Sequence, residues 1–261
     1  MMNQSHDSER LNVMRSKILT AATKGQEGHI PSSLSILDIL YCLYIVLPKI
    51  SRVNLQKNDI FILSKGHASL ALYAVLEEAK IIDDTWLDTF GSFSSKFGGH
   101  PDRNKISGVA ASTGSLGHGL PFSIGKVLAN RLINREFSIF CLIGDGELNE
   151  GSNWESLLLA AHYKMHELTL IIDLNHSTDR ALSLGDIESK LRAFGFHVET
   201  INGHSHTEIT KSLQTKKRNR PTAIIAETIK GYGVPAMENN PAWHHAIPTP
   251  DQTLEMIRML R

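Results

Sequence analysis

The chain has 261 residues, 41% of them hydrophobic and 21% charged, and its 27 basic and 27 acidic side chains cancel. That is enough chain to bury a full core, and the charge balance gives no pull toward nucleic acid or an anionic membrane. The polar start lacks a signal-type apolar region, and no run approaches the roughly 20 apolar residues of a membrane span, so a soluble, cytoplasmic protein is expected.

Helical periodicity covers residues 7–24 and 35–47, and Pro48 stops the second. A short strand at 59–63 runs straight into Ser64-Lys65-Gly66-His67 and a helix to Ala79. Residues 90–115 form a Gly/Ser-rich stretch without a period, a kind of loop that is usually functional inside a compact domain. A helix over 116–134 feeds an apolar strand at 137–143, which delivers the segment GDGELNEGSNWE at 144–155. Next come a helix at 153–163, an apolar strand at 168–172 and the triplet Asp173-Leu174-Asn175. Beyond the polar loop 176–186 lie a short helix, a strand at 198–201, a helix at 205–215 and a strand at 222–227. Gly231-Tyr232-Gly233 opens a second long loop, running to Pro250, before a last short helix.

Alternating strands and helices predict one α/β domain over 1–261, a doubly wound, mostly parallel sheet with helices on both faces. Cys42 and Cys141 lie in apolar surroundings and read as small core residues. The basic run Lys216-Lys217-Arg218-Asn219-Arg220 falls between a helix and a strand and reads as a solvated turn.

Asp145 follows one apolar strand and Asn175 follows a later one. At one edge of a parallel sheet the two can meet and offer hard oxygens to Mg2+ or Ca2+. Mg2+ keeps several ligands from water or phosphate, so a metal here implies a phosphorylated cofactor. The glycines around Asp145 would let a diphosphate approach the backbone and a helix amino end. Gly-Asp-Gly alone is also a common turn; the flanking strand and helix favour the anchor. His29, His67, His100, His118, His244 and His245 all sit at element boundaries. Neutral imidazoles grouped there suit hydroxyl and phosphate binding and proton shuttling. His6, His162, His166, His176, His197, His204 and His206 lack that setting and read as ordinary surface or satisfied residues.

Glu27-Gly28-His29, LSKGHA at 63–68, GGHP at 98–101 and TGSLGHG at 113–119 precede the 144–155 segment. Asp173 to Asn175, TIKGYG at 228–233 and Trp243-His244-His245 follow it. In this order the motifs resemble the N-terminal, diphosphate-binding half of a transketolase, from about Lys17 to His245. The resemblance implies thiamine diphosphate as cofactor and transfer of a two-carbon ketol unit from a ketose to an aldose. It implies that Asp145, Asn175 and the carbonyl of Ser177 hold the divalent ion. Gly146, Lys65, His67 and Lys230 would face the diphosphate, and backbone at Gly114 and Leu116 would meet the aminopyrimidine. His29, His67 and His100 would line the substrate channel, with Ser32 nearby. One of His244 and His245 would reach both diphosphate and substrate; spacing from Lys230 favours the first and spacing to Pro248 the second. Glu150 matches a carboxylate that meets the cofactor-activating glutamate of another chain, although an acid in the first turn of a helix is also favoured by the helix dipole. Trp154 and Glu155 read as packing and capping residues.

Transketolases of ordinary size carry a second, pyrimidine-binding domain that supplies the activating glutamate, and 261 residues leave no room for it. The resemblance therefore implies a split enzyme, completed by a C-terminal subunit with the pyrimidine domain in an α2β2 assembly. The α subunit of a 2-oxo acid dehydrogenase shares the Gly-Asp-Gly…Asn anchor, but the histidines at 29, 67 and 100 argue against it. Deoxyxylulose-phosphate synthase shares that anchor too, but is normally one long chain. A non-catalytic cofactor-binding scaffold is a third alternative, against which the intact Asp145 and Asn175 count. Ile30-Pro31-Ser32-Ser33 and His176-Ser177-Thr178-Asp179-Arg180 depart from the housekeeping enzymes and hint at an unusual acceptor, such as an aldose of a branched-sugar or secondary pathway.

Overall fold

The computed structural model describes residues 4–49, 59–135, 137–179 and 182–260. Arg180, part of the departure at 176–180, lies outside them. Five strands, β1 (Ile60–Leu63), β2 (Ile139–Gly144), β3 (Leu168–Leu174), β4 (His197–Asn202) and β5 (Thr222–Glu227), form one sheet in the order β1-β2-β3-β5-β4. Every pairing is parallel. Gly144 pairs with Asp173 and Leu174 with Glu227, so neighbouring strands end level and their following loops share one edge.

The helices are α1 (Gln4–Gly25), α2 (Ile30–Leu34), α3 (Leu37–Tyr41), α4 (Ser69–Glu78), α5 (Trp86–Thr89), α6 (Gly119–Leu132), α7 (Gly151–His162), α8 (Ile187–Ala193), α9 (His206–Gln214) and α10 (Pro250–Met259). Alternate strand residues serve opposite faces, as the two-residue repeat of a strand requires. Phe61, Leu63, Phe140, Leu142, Ile171 and Ile224 pack with α1, α3, α4 and α9. Ile62, Cys141, Ile143, Leu170, Ile172 and Ile225 pack with α6, α7 and α8. This is the expected doubly wound arrangement. Each fully buried Ile or Leu contributes about 1.5–3 kcal/mol, so Ile171→Ala alone is worth about 2–5 kcal/mol of lost stability. Both cysteines are buried and free, as expected.

Three local expectations need correction. The helix read at 35–47 begins earlier, at Ile30, and is not continuous. It breaks between α2 and α3, then widens over Cys42–Val46, where the Leu47 amide reaches back five residues to the Cys42 carbonyl at 2.9 Å. The break frees the Ser35 hydroxyl, which bonds the Asp173 carboxylate at 2.8 Å. The short helix α5 was not foreseen, because four residues give no readable period. The third concerns Glu155, which is exposed on α7 and caps nothing, whereas Trp154 packs as expected, its ring 5.5 Å from that of Phe194. Among the described residues no helix is long and apolar enough to cross a membrane.

Candidate active site

The loops that leave β1, β2, β3 and β5 meet at the carboxyl edge of the sheet, where open α/β folds bind ligands. Asp145 follows β2 and Asn175 follows β3, and both are buried. The Ser177 amide donates to Asp145 Oδ2 at 3.0 Å and to Asn175 Oδ1 at 3.2 Å, and its hydroxyl donates to Asp145 Oδ1 at 3.2 Å. His176 has a φ of 59°, a left-handed turn that brings Ser177 back over the strand ends. The carboxylate and the amide oxygen thus converge on one point, as expected from their strands. What the structure shows of Ser177 there is its amide and hydroxyl rather than its carbonyl.

Two buried carboxylates that the sequence did not single out organise this edge. Asp173, fully buried inside β3, accepts Lys65 Nζ at 2.5 Å, Ser35 Oγ at 2.8 Å and Asn175 Nδ2 at 2.9 Å, besides the Thr228 hydroxyl. Burial alone would raise its pKa; the Lys65 ammonium and the donated hydroxyls hold it below the usual carboxylate range instead. Lys65 Nζ is therefore committed to Asp173 and to the Ser32 carbonyl at 3.1 Å, although the residue lines the cleft. The signal for Asp173 was present: an acid in the apolar run LTLIIDL survives burial only with partners. Glu147 accepts the Ser64 hydroxyl, the Gly117 amide at 2.9 Å and the Gly144 amide at 3.3 Å, and burial pushes its carboxyl up. It ties the loops after β1 and β2 to the loop before α6.

The histidines gather on the far wall. The His29 ring lies 4.9 Å from His67, 5.7 Å from His244 and 3.9 Å from His245. His244 Nδ1 is 3.3 Å from Lys230 Nζ, which assigns the polar contact with Lys230 to His244 and leaves His245 against His29. Burial, with the neighbouring imidazoles, lowers His29 to about 4; burial, with Lys65, lowers His67 to about 2. Burial and Lys230 lower His244 as well. His29 and His67 are therefore neutral at pH 7, and His29 Nδ1 is buried without a partner. His100 closes one side against Gly114, where a Cβ would stand 3.0 Å from the imidazole Cδ2.

A cleft of about 340 Å³ is lined by every expected site residue except His118, His245 and Glu150. It adjoins a second cleft of about 390 Å³ through Asn175, Ser177, Lys230 and His244. Glu150 is exposed at the start of α7, makes no capping bond with its side chain, and packs over Gly117. His118 does not join the cleft: its ring bonds the Leu116 carbonyl of its own turn at 3.1 Å, because it precedes α6 on the exposed side. Of the histidines read as surface or satisfied residues, His204 and His206 are of the satisfied kind, both bonding the buried Asp38.

The model of the transketolase thiamine diphosphate-binding domain matches residues 6–259. The chain belongs to the transketolase family. An apulose-4-phosphate transketolase subunit from Actinobacillus succinogenes is 37% identical over 96% of this chain and 95% of its own length. Its counterpart from Phocaeicola vulgatus is 34% identical over 94% of this chain and 90% of its own. The transketolase of Campylobacter jejuni superposes with a TM-score of 0.87 at 30% identity, over 96% of this chain but only 42% of that one. This chain therefore spans less than half of a transketolase of ordinary length and matches nearly the full length of the separate transketolase subunits. Neither the 2-oxo acid dehydrogenase alternative nor a scaffold role is favoured by these relatives.

Proposed function

We propose that the chain, as one domain, is the diphosphate-binding subunit of a two-chain, cytoplasmic transketolase that acts with thiamine diphosphate and Mg2+. The observation that supports this best is the convergence of Asp145 and Asn175 at the mouth of a cleft walled by neutral histidines. The donor set fits. Among the described residues no three His, Cys, Asp or Glu side chains could hold a metal by themselves, so an ion at Asp145 would need the Asn175 amide, the Ser177 carbonyl and outside oxygens such as phosphate. The orphaned His29 Nδ1 equally awaits a polar ligand.

Bound thiamine diphosphate supplies an electron sink for a two-carbon fragment. The chain's own residues would seat and orient it. Gly146, His67, Lys230 and His244 would face the diphosphate, with Lys65 lining the same wall while Asp173 holds its ammonium, and the backbone of Gly114 and Leu116 would meet the aminopyrimidine. His29, His67 and His100, with His245 behind, offer imidazoles that accept or donate single protons at sugar hydroxyls and carbonyls. Glu150, exposed beside Gly117, marks where the pyrimidine-domain subunit docks, with two copies of each chain in the assembly.

The test is co-expression with the candidate partner, then an assay of two-carbon transfer from ketose phosphates to a panel of aldoses; apulose 4-phosphate, from which the relatives above take their names, heads the donors. Transfer is expected only from the pair. Asp145→Ala should abolish it, and undiminished transfer by that variant, or full transfer by the chain alone, would refute the assignment.

A further inference from the structure

Behind the loop that bears Lys230, outside both clefts, lies a second ionisable cluster. Asp38 on α3 is 2% exposed. Its Oδ2 accepts His204 Nδ1 at 3.1 Å, its Oδ1 accepts His206 Nε2 at 3.0 Å, and Arg15 Nη2 stands 3.5 Å away. The other nitrogen of His204 is engaged as well: Nε2 accepts the backbone amide of Ile229, the residue before Lys230, at 2.9 Å. An imidazole that donates from Nδ1 and accepts at Nε2 is neutral and held in one tautomer. Tyr232 stacks on this ring, with centroids 3.5 Å apart and planes 19° apart. Carboxylate, imidazole and amide thus form one line from the buried face of α3 to the Lys230 loop. His206 shares the same carboxylate but makes no bond to that loop.

We propose that His204, aligned by Asp38, is a positioning residue for Lys230. It fixes the Ile229 amide so that the next side chain stands beside His244 and faces the cleft. The Asp38 carboxylate sets the tautomer, because only an unprotonated Nε2 can accept from Ile229. The consequence for diphosphate binding rests on the proposed function; the hold on the loop does not.

Two measurements on the full chain test it. Deuterium exchange over residues 228–234 reads the loop without any ligand, and calorimetric titration with pyrophosphate and Mg2+ reads the site. His204→Phe keeps an aromatic ring on Tyr232 but removes the acceptor; it should speed exchange at Ile229 and Lys230 and weaken pyrophosphate about five- to ten-fold. His204→Gln, whose side-chain carbonyl can accept from Ile229, should recover most of both. His206→Ala removes a bond to the same Asp38 and should leave both within two-fold of the parent. Unchanged exchange in His204→Phe, or an equal effect of His206→Ala, would overturn the proposal. If burying Phe against Asp38 unfolds the chain, the comparison of His204→Gln with His206→Ala decides it in the same way: loop exchange faster in the second than in the first overturns it. A parent chain that binds no pyrophosphate would instead count against the cofactor assignment, with exchange still judging His204.

Discussion

At single residues, the site is governed by groups whose charge burial controls. His29 and His67 are held at about 4 and about 2, against about 6.5 for a free imidazole. Below pH 6.5 the unfolded chain takes up protons that the folded chain refuses. Stability from these two residues is thus complete above about pH 6.5 and is lost as the pH falls toward 4 and beyond. The melting temperature should drop between pH 7 and 5, and His29→Asn with His67→Asn should flatten that drop; an unaltered slope would contradict the assigned neutrality. Asp173 makes the opposite kind of demand. Replacing it with Asn leaves the buried Lys65 ammonium without its counter-ion, which costs about 3–5 kcal/mol. A shift of the urea midpoint to match is the expected result, with thiamine diphosphate binding weakened as Asn175 loses its anchor on Asp173.

At the level of elements, the segment 144–155 shows how two acids three residues apart serve different ends. Glu147 is buried and receives three donors, from the loop after β1, the end of β2 and the turn before α6, whereas Glu150 is exposed and caps nothing. Glu147→Ala strands those donors and should cost the chain about 3 kcal/mol in a denaturant titration. Glu150→Ala should change stability by no more than about 0.5 kcal/mol, yet, on the proposed function, reduce transfer by the assembled pair. Equal destabilisation by the two variants would erase the distinction. Such elements were legible in the sequence where a period and a boundary coincided. β2, β3 and β5 declared themselves as apolar runs, and Asp145 and Asn175 were found because a parallel sheet sends its strand ends to one edge, whereas Lys230 came only with the resemblance. The Asp38 cluster was not legible, since α3 and the start of α9 are brought together only by tertiary packing. The break between α2 and α3 was hidden too, because an apolar pattern of helical period does not reveal that Ser35 leaves the helix for Asp173. His118 misled for the converse reason: glycine neighbours and an element boundary say where a histidine lies along the chain, not which side of the loop its ring takes.

Across the whole molecule, the charges of the cleft cancel much as those of the chain do. Lys65 is neutralised by Asp173, and Lys230 feels the pull of Asp145 and Asp173. His29 and His67 bring no charge at pH 7. A diphosphate entering this cleft finds no surplus of cations to offset its own charge, so the proposed divalent ion must accompany it. Omitting Mg2+ should weaken pyrophosphate by more than about ten-fold, whereas raising NaCl from about 50 to 200 mM should weaken it far less than the steep losses seen when many lysines and arginines neutralise phosphates. Strong binding without a divalent ion would show that the cleft holds more positive charge than its geometry indicates. The tie between Lys65 and Asp173 therefore reaches beyond stability. By withholding one ammonium from the ligand, it makes the filling of the cleft depend on two solutes arriving together, and so couples the number of loaded chains in a cell to its free divalent ion.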